Sequence, residues 1–210
     1  MGRPLLVVVS GPPGAGKTSI GHRLADHLGL PFLNKDGFKE VLFDTLGWSD
    51  RDWSRRLGGA SMLLLFHAAD RLLAAGASLV VEANFDAERS CQDLRSLQQR
   101  HSACACQIQC VGDGAVFLDR FRARDQSGER HPGHVDHATI DAVEASIRRG
   151  RGQRLCLEGP VIELDTTDLA TLDIPGLGER VRAAAVGDRI ARQEGGVSID
   201  HARLNLDRSG

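Results

Sequence analysis

The run Gly11-Pro-Pro-Gly-Ala-Gly-Lys17-Thr18 directly follows the apolar stretch Leu5–Val9 and fills every fixed position of G-x-x-x-x-G-K-[ST], the phosphate-binding loop. The motif demands a strand, a tight glycine-rich turn and a helix in immediate succession. Its backbone N–H groups must converge on one anion, and the helix must aim its positive end at the same point. A Cβ obstructs such a curl, so Gly11, Gly14 and Gly16 are the expected pivots. The cradle is expected to comprise Gly11, Pro13, Gly14, Ala15 and Gly16. Lys17 would reach the β- and γ-phosphates, and Thr18, with Ser19 beside it, would offer its hydroxyl to a magnesium ion. A nucleoside triphosphate is therefore the implied ligand.

Around this motif, short apolar runs alternate with longer helical patterns, which predicts an α/β fold with a parallel sheet covered on both faces. The strands read as Leu5–Val9, Phe32–Leu33, Ser78–Glu82, Cys104–Val111 and Val161–Leu164. The helices read as Gly16–Leu28, Gly37–Leu46, Asp52–Leu57, Ala60–Ala75, Ala87–Arg100, Val116–Asp125, Thr139–Arg149 and Leu172–Ala185, with Ser49 and Asp52 spaced as a capping box. The helix around Met62–Phe66 is apolar nearly all round, which predicts that it is sandwiched in the core or lies at a subunit contact, burial inside the monomer being the favoured of the two. A chain of 210 residues with 41% apolar content suits one domain, here 1–186, followed by a polar tail or surface strap at 187–210.

A net charge of −2 provides no global basic field for non-specific nucleic-acid binding. The five cysteines are odd in number and three lie in one apolar run, so they read as reduced core residues. The phosphate loop begins within about ten residues of Met1, which leaves no room for a signal peptide, and no apolar run suggests a membrane span. A cytoplasmic protein is expected. Cations are written almost entirely as arginine; the three lysines are Lys17, Lys35 and Lys39, which singles out the last two as candidate substrate contacts.

In open α/β sheets ligands bind beyond the carboxyl ends of the strands. After the second strand comes Asn34-Lys35-Asp36, and Asp36 is the candidate general base for a substrate hydroxyl; an N-cap for the following helix is the other role open to it. Glu82 ends the third strand where an acid commonly holds magnesium, and Asn84 follows on the loop as a candidate substrate contact. Arg120 and Arg124 lie one turn apart on a helix, and Arg130 follows on a Gly- and Pro-bearing loop, a lid at about 120–137 whose guanidinium groups would meet transferred charge. His131, His134 and His137 do not have zinc-finger spacing; His134 is retained as a candidate substrate contact and the others as lid structure. Trp48 and Trp53 are read as helix packing or as a stacking surface.

These residues resemble the adenylate-kinase-like branch of P-loop kinases. The similarity is to small predicted kinases grouped with polynucleotide 5′-kinase, chloramphenicol phosphotransferase and zeta-toxin phosphotransferases. The matching elements are Gly11–Thr18, Asp36, Val80-Val81-Glu82-Ala83-Asn84, Arg120 to Arg130, and Val161-Ile-Glu-Leu-Asp165-Thr166-Thr167. The resemblance implies a P-loop NTPase three-layer sandwich with five parallel strands in the order 2-3-1-4-5 and an arginine-bearing lid. It also implies ATP and Mg2+, Asp36 as the activating base, and Thr166 beside the adenine. The expected enzyme is a kinase acting on a small-molecule hydroxyl. A nucleic-acid 5′-end is the alternative acceptor, and an AAA-type ATPase or a nucleotide switch the alternative class.

Overall fold

The computed structural model describes residues 2–128, 130–135 and 140–195, with side chains to 185. Five strands, β1 (Leu5–Ser10), β2 (Phe32–Asn34), β3 (Leu79–Glu82), β4 (Cys104–Val111) and β5 (Val161–Asp165), form one parallel sheet in the order β2-β3-β1-β4-β5. Central β1 is flanked by β3 and β4 and is nearly wholly buried, as a parallel strand covered on both faces requires. Its side chains alternate between two cores. Val7 and Val9 pack with α1 (Lys17–Leu28), α5 (Gly114–Gln126) and α7 (Ile174–Gly195), whereas Leu6 and Val8 pack with α3 (Arg51–Ala74) and α4 (Ala87–Arg100). The expected three-layer sandwich and strand order are present. Two polar residues inside β4 are satisfied: Gln107 donates to Ser10 Oγ at 3.0 Å and accepts from the Leu155 N–H, and Gln109 donates to the Gly152 carbonyl.

The register brings the chemistry to one level. Val9 is paired with Glu82, and Glu82 with Asn34, so the loops after β1, β2 and β3 open onto the same edge of the sheet. From there α2 (Lys35–Leu46) begins immediately after β2, and α6 (Ile140–Arg148) returns alongside α5.

Several expectations are corrected. The helices anticipated at 52–57 and 60–75 are one helix, α3, which passes through Gly58-Gly59. Its buried stripe, Leu57, Ser61, Leu65, Ala69 and Leu73, continues at four-residue spacing on the far side of the glycines, so tertiary packing outweighs a propensity cost of about 1 kcal/mol per glycine. All-round burial does not hold: Leu63 is 71% exposed and Leu64 41%. By length and composition α3 could cross a membrane, yet it packs on α2, β3 and α4, with Ala69 and Leu73 in the core beneath β3 and α4. Its N-cap is Asp50, which accepts from the Trp53 N–H at 2.9 Å, rather than Ser49. Cys91 and Cys156 form a disulfide between α4 and the segment before β5, whereas Cys104, Cys106 and Cys110 are buried and not disulfide-bonded. Helix α7 extends to Gly195, into the expected tail; 196–210 and His137 lie outside the described residues.

Candidate active site

The loop between β1 and α1 makes its turn on glycines. Gly14 and Gly16 have φ of +79° and +75°, and a Cβ at Gly14 would collide with the Phe117 carbonyl of α5. Gly16 serves as the N-cap of α1 without a side-chain cap, leaving the first-turn N–H groups available for an anion. A cavity of about 250 Å³ opens over them, lined by Pro13, Gly14, Gly16, Lys17, Thr18 and Ser19 and by Glu82, Arg120 and Arg124 from other elements. Gly11, Ala15 and Thr166 stand apart from this lining. Gly11 lies against Cys110 of β4, Ala15 is in the core with its N–H bonded to the Pro12 carbonyl, and buried Thr166 donates its hydroxyl to the Val111 carbonyl.

Lys17 is buried and donates to the Pro12 carbonyl at 2.9 Å. Burial lowers its pKa, partly offset by the negative charge of Glu82. Glu82 is buried at the end of β3 and accepts from the Thr18 hydroxyl at 3.0 Å. Burial raises its pKa, against the pull of Lys17. A hydroxyl and a carboxylate, both hard oxygen donors in one cavity, suit a magnesium ion completed by phosphate oxygens and water.

Asp36 stands on the second position of α2. The N-cap is instead Asn34, whose side chain accepts from the Gly37 N–H, so Asp36 is released from the capping role it was also suited to. Burial alone would raise its pKa, but Lys35 and Arg130 overcome this and hold the carboxyl well below the usual carboxylate range. The Arg130 guanidinium donates to Asp36 at 3.0 Å and also to Nδ1 of His134 at 3.0 Å. A guanidinium has no acceptor, so His134 Nδ1 must accept and the ring proton sits on Nε2, facing Glu40 Oε1 at 2.9 Å. Burial, reinforced by Arg130, pushes the His134 pKa down to about 3, in keeping with a neutral ring. Both ring nitrogens of His134 are thus engaged, one with Arg130 and one with Glu40.

The lid arginines divide. Arg120 donates to the carbonyls of Thr166 and Thr167 at 2.7 and 2.6 Å, which ties α5 to the loop after β5. Arg124 lines both the phosphate cavity and a second, larger one; Arg130 lines only the second. That second cavity, about 990 Å³, lies between α2, α3, the start of α4 and the lid, and it shares Pro13, Lys35, Asp36, Asn84 and Arg124 with the phosphate cavity. Lys39 and His134 line it as well. Neither Trp48 nor Trp53 does: Trp48 is exposed, and Trp53 donates to the Gly47 carbonyl with Arg56 over its ring. Arg51 and Arg55 on α3 do line it, though sequence reasoning passed them over; in so arginine-rich a chain their only signal is their one-turn spacing.

A family model described as an AAA domain matches residues 6–149. A structure from Chloroflexus aurantiacus J-10-fl, named a "putative kinase", is 40% identical, with a TM-score of 0.81 over 87% of this chain and 98% of that one. APS kinase CysC from Mycobacterium tuberculosis, solved in complex with AMPPNP and APS, is 21% identical, with a TM-score of 0.52 over 88% of this chain and 98% of that one, and shares the fold. No curated protein matches. The chain belongs to this AAA-domain family, within the small P-loop kinase superfamily.

Proposed function

We propose that the protein is an ATP- and magnesium-dependent kinase that moves the γ-phosphate to a hydroxyl of a small molecule. The observation that carries this reading is the meeting of two cavities at Asp36. A phosphate cradle of about 250 Å³ and an acceptor-sized space of about 990 Å³ share one wall, with Asp36, Lys35 and Arg124 on it. A triphosphate in the cradle would present its terminal phosphorus at that wall, and a hydroxyl in the larger space would face it across Asp36. Asp36 accepts the hydroxyl proton as the new oxygen–phosphorus bond forms; the bond to the departing nucleoside diphosphate breaks and its electron pair leaves with that diphosphate. Lys17 and Arg124 offset the charge spread over the transferred phosphoryl oxygens. Thr18 and Glu82 would hold magnesium, which supplies charge neutralisation at the phosphates.

The arrangement favours a kinase over a mechanical ATPase. Strand β3 ends in the single acid Glu82 followed by Ala83-Asn84, without the adjacent Asp-Glu pair that polarises water. After β5 the described residues contain only a 3-10 turn at Leu169–Thr171 and α7, without a separate helical domain. A pure nucleotide switch would have no use for a half-buried carboxylate facing an acceptor-sized space.

The test is transfer of radiolabelled γ-phosphate to a panel of nucleosides, sugars, hydroxylated antibiotics and 5′-hydroxyl oligonucleotides, with hydrolysis followed in parallel. Asp36→Asn should keep ATP affinity within about threefold while lowering transfer by about 10²-fold or more. Lys17→Ala should weaken nucleotide binding and turnover together. Phosphate release that ignores every acceptor and is untouched by Asp36→Asn would replace the kinase with an ATPase.

A further inference from the structure

The chain contains 23 arginines and three lysines. Lys17 belongs to the phosphate loop; the other two, Lys35 and Lys39, are one helical turn apart at the start of α2 and both line the larger cavity. Their ammonium groups converge. A Cβ placed on Gly58 of α3 would lie 3.7 Å from Lys35 Nζ and 3.8 Å from Lys39 Nζ, so both cations flank a point where α3 has no side chain. Lys39 is only 7% exposed, donates to the neutral Ser54 hydroxyl at 2.8 Å and stands 5.1 Å over the Phe43 ring, contacts that fix its stem and aim its head. Lys35 makes one long contact, 3.5 Å, with Asp36.

The charge around this point exceeds what phosphoryl transfer needs. The larger cavity is lined by seven cationic side chains and three carboxylates, in a protein whose net charge is −2. Arg124 faces the phosphate cradle and Arg130 is held by Asp36 and His134, so both belong to the transfer machinery. Among the carboxylates, Asp36 is committed to the reacting hydroxyl and Asp86 caps α4. Lys39, Arg51 and Arg55 line the α2–α3 side of the cavity, beside an apolar strip of Met62, Leu63 and Phe66.

We infer that the two ammonium groups of Lys35 and Lys39, meeting over Gly58, form an anion subsite that selects an acceptor carrying a phosphate or carboxylate group besides the hydroxyl it offers to Asp36. The inference rests on the kinase reading and narrows it from any hydroxyl compound to an anionic one. Gly58 is the feature that makes the subsite, because its missing side chain leaves the space between the cations open to an anion. An ammonium fits either anion as a point charge; the guanidinium forks of Arg51 and Arg55 lie within the same space for the rest of the acceptor.

The test uses the full chain loaded with AMPPNP and magnesium, so that the phosphate cradle is filled and no transfer occurs. Calorimetric titration compares matched neutral, carboxylate and phosphate probes: glycerol, glycerate and glycerol 3-phosphate, then glucose, gluconate and glucose 6-phosphate. In at least one set an anionic probe should bind about tenfold or more tighter than its neutral partner; the phosphate and carboxylate arms tell which anion is preferred. Lys39→Met and, separately, Gly58→Ala should remove that preference. Gly58→Ala also keeps the test interpretable, because alanine favours the helix and its Cβ fills the subsite at ordinary contact distance without altering any charge. Equal binding of neutral and anionic probes in both sets, or a preference that survives both substitutions, would overturn the subsite. Replacing AMPPNP with ATP separates the two claims: anion-selective binding without transfer would refute the kinase reading and leave the subsite standing.

Discussion

Acidification is expected to destabilise the protein through one side chain of the lid. His134 is 3% exposed at its side chain, and burial with the charge of Arg130 pushes its pKa from 6.5 to about 3. Lys39 and Lys35 act in the same direction, Asp36 opposes them, and Glu40 accepts from the ring. A folded pKa below the unfolded one means that between pH 6.5 and 3 the unfolded chain binds a proton that the folded chain refuses. Stability therefore falls as the pH drops through that window and is indifferent to this group above it. At about 1.4 kcal/mol per pH unit, going from pH 7 to pH 5 costs about 2 kcal/mol, a readable share of a domain stability of about 5–15 kcal/mol. Asp36 does not confuse the reading. Its folded pKa is depressed, so the stability it adds is present above its ordinary value of 3.8 and is lost only below that. Urea denaturation of the wild type and of His134→Gln at pH 7, 6 and 5 isolates the effect, because glutamine keeps an acceptor for Arg130 and a donor for Glu40 but does not titrate. The wild type should lose about 2 kcal/mol more than the variant over this range. If opening is local, the His134 and Val135 amides, bonded to the His131 and Pro132 carbonyls, should lose protection first. Profiles that run parallel within about 0.5 kcal/mol would refute the account of His134 as a buried neutral ring.

Asn34→Ala removes the cap that accepts from the Gly37 N–H and should cost about 1 kcal/mol, read as a lower urea midpoint, with a rise in acceptor KM because the cap also sets where α2 presents Asp36. Gly14→Ala forces a side chain onto a φ of +79° and into the Phe117 carbonyl, so nucleotide affinity should fall about tenfold or more in equilibrium binding. Glu82→Gln keeps a hydrogen-bond acceptor for Thr18 but removes the charge, and the magnesium concentration for half-maximal transfer should rise about tenfold; an unchanged magnesium requirement would exclude Glu82 from the metal site.

How much was legible in the chain depended on whether the signal was local. The strands could be read because β1 is buried on both faces and so is written as a continuous apolar run, while β4 is apolar but for Gln107 and Gln109, whose side chains find partners inside the fold. The phosphate loop and the position of Asp36 just beyond β2 could be read because a motif and a strand end fix them within a few residues. Gly58-Gly59 misled because a glycine pair resembles a break, whereas the buried stripe that carries α3 through it is visible only against the elements α3 packs on, α2 above all. Arg130 and Asp36 were each singled out, yet their contact spans 94 residues of sequence and no local pattern announces it. The disulfide, across a separation of 65, is the same kind of long-range fact. Arg51 and Arg55 were hidden by abundance, since one more arginine carries little information in such a chain.

The Arg130–Asp36 contact also bears on when the base can act. While the guanidinium donates to it, Asp36 is held far below its ordinary range and is a weak proton acceptor. A guanidinium binds phosphate as readily as carboxylate, so on the proposed mechanism the transferable phosphate competes for Arg130 and, by drawing it away, raises the basicity of Asp36 only when there is a phosphoryl group to transfer. Base strength and donor occupancy would then be coupled through one side chain, which would limit idle hydrolysis. Arg130→Gln imitates that departure. Removing a full charge at this distance should raise the Asp36 pKa by about 1–3 units, with Lys35 at 3.5 Å keeping it from rising further. The shift can be read by carboxyl-carbon NMR titration, assigned with Asp36→Asn. An Asp36 pKa unmoved by Arg130→Gln would mean that Lys35 alone sets the carboxylate, and the lid arginine would lose its part in timing the reaction.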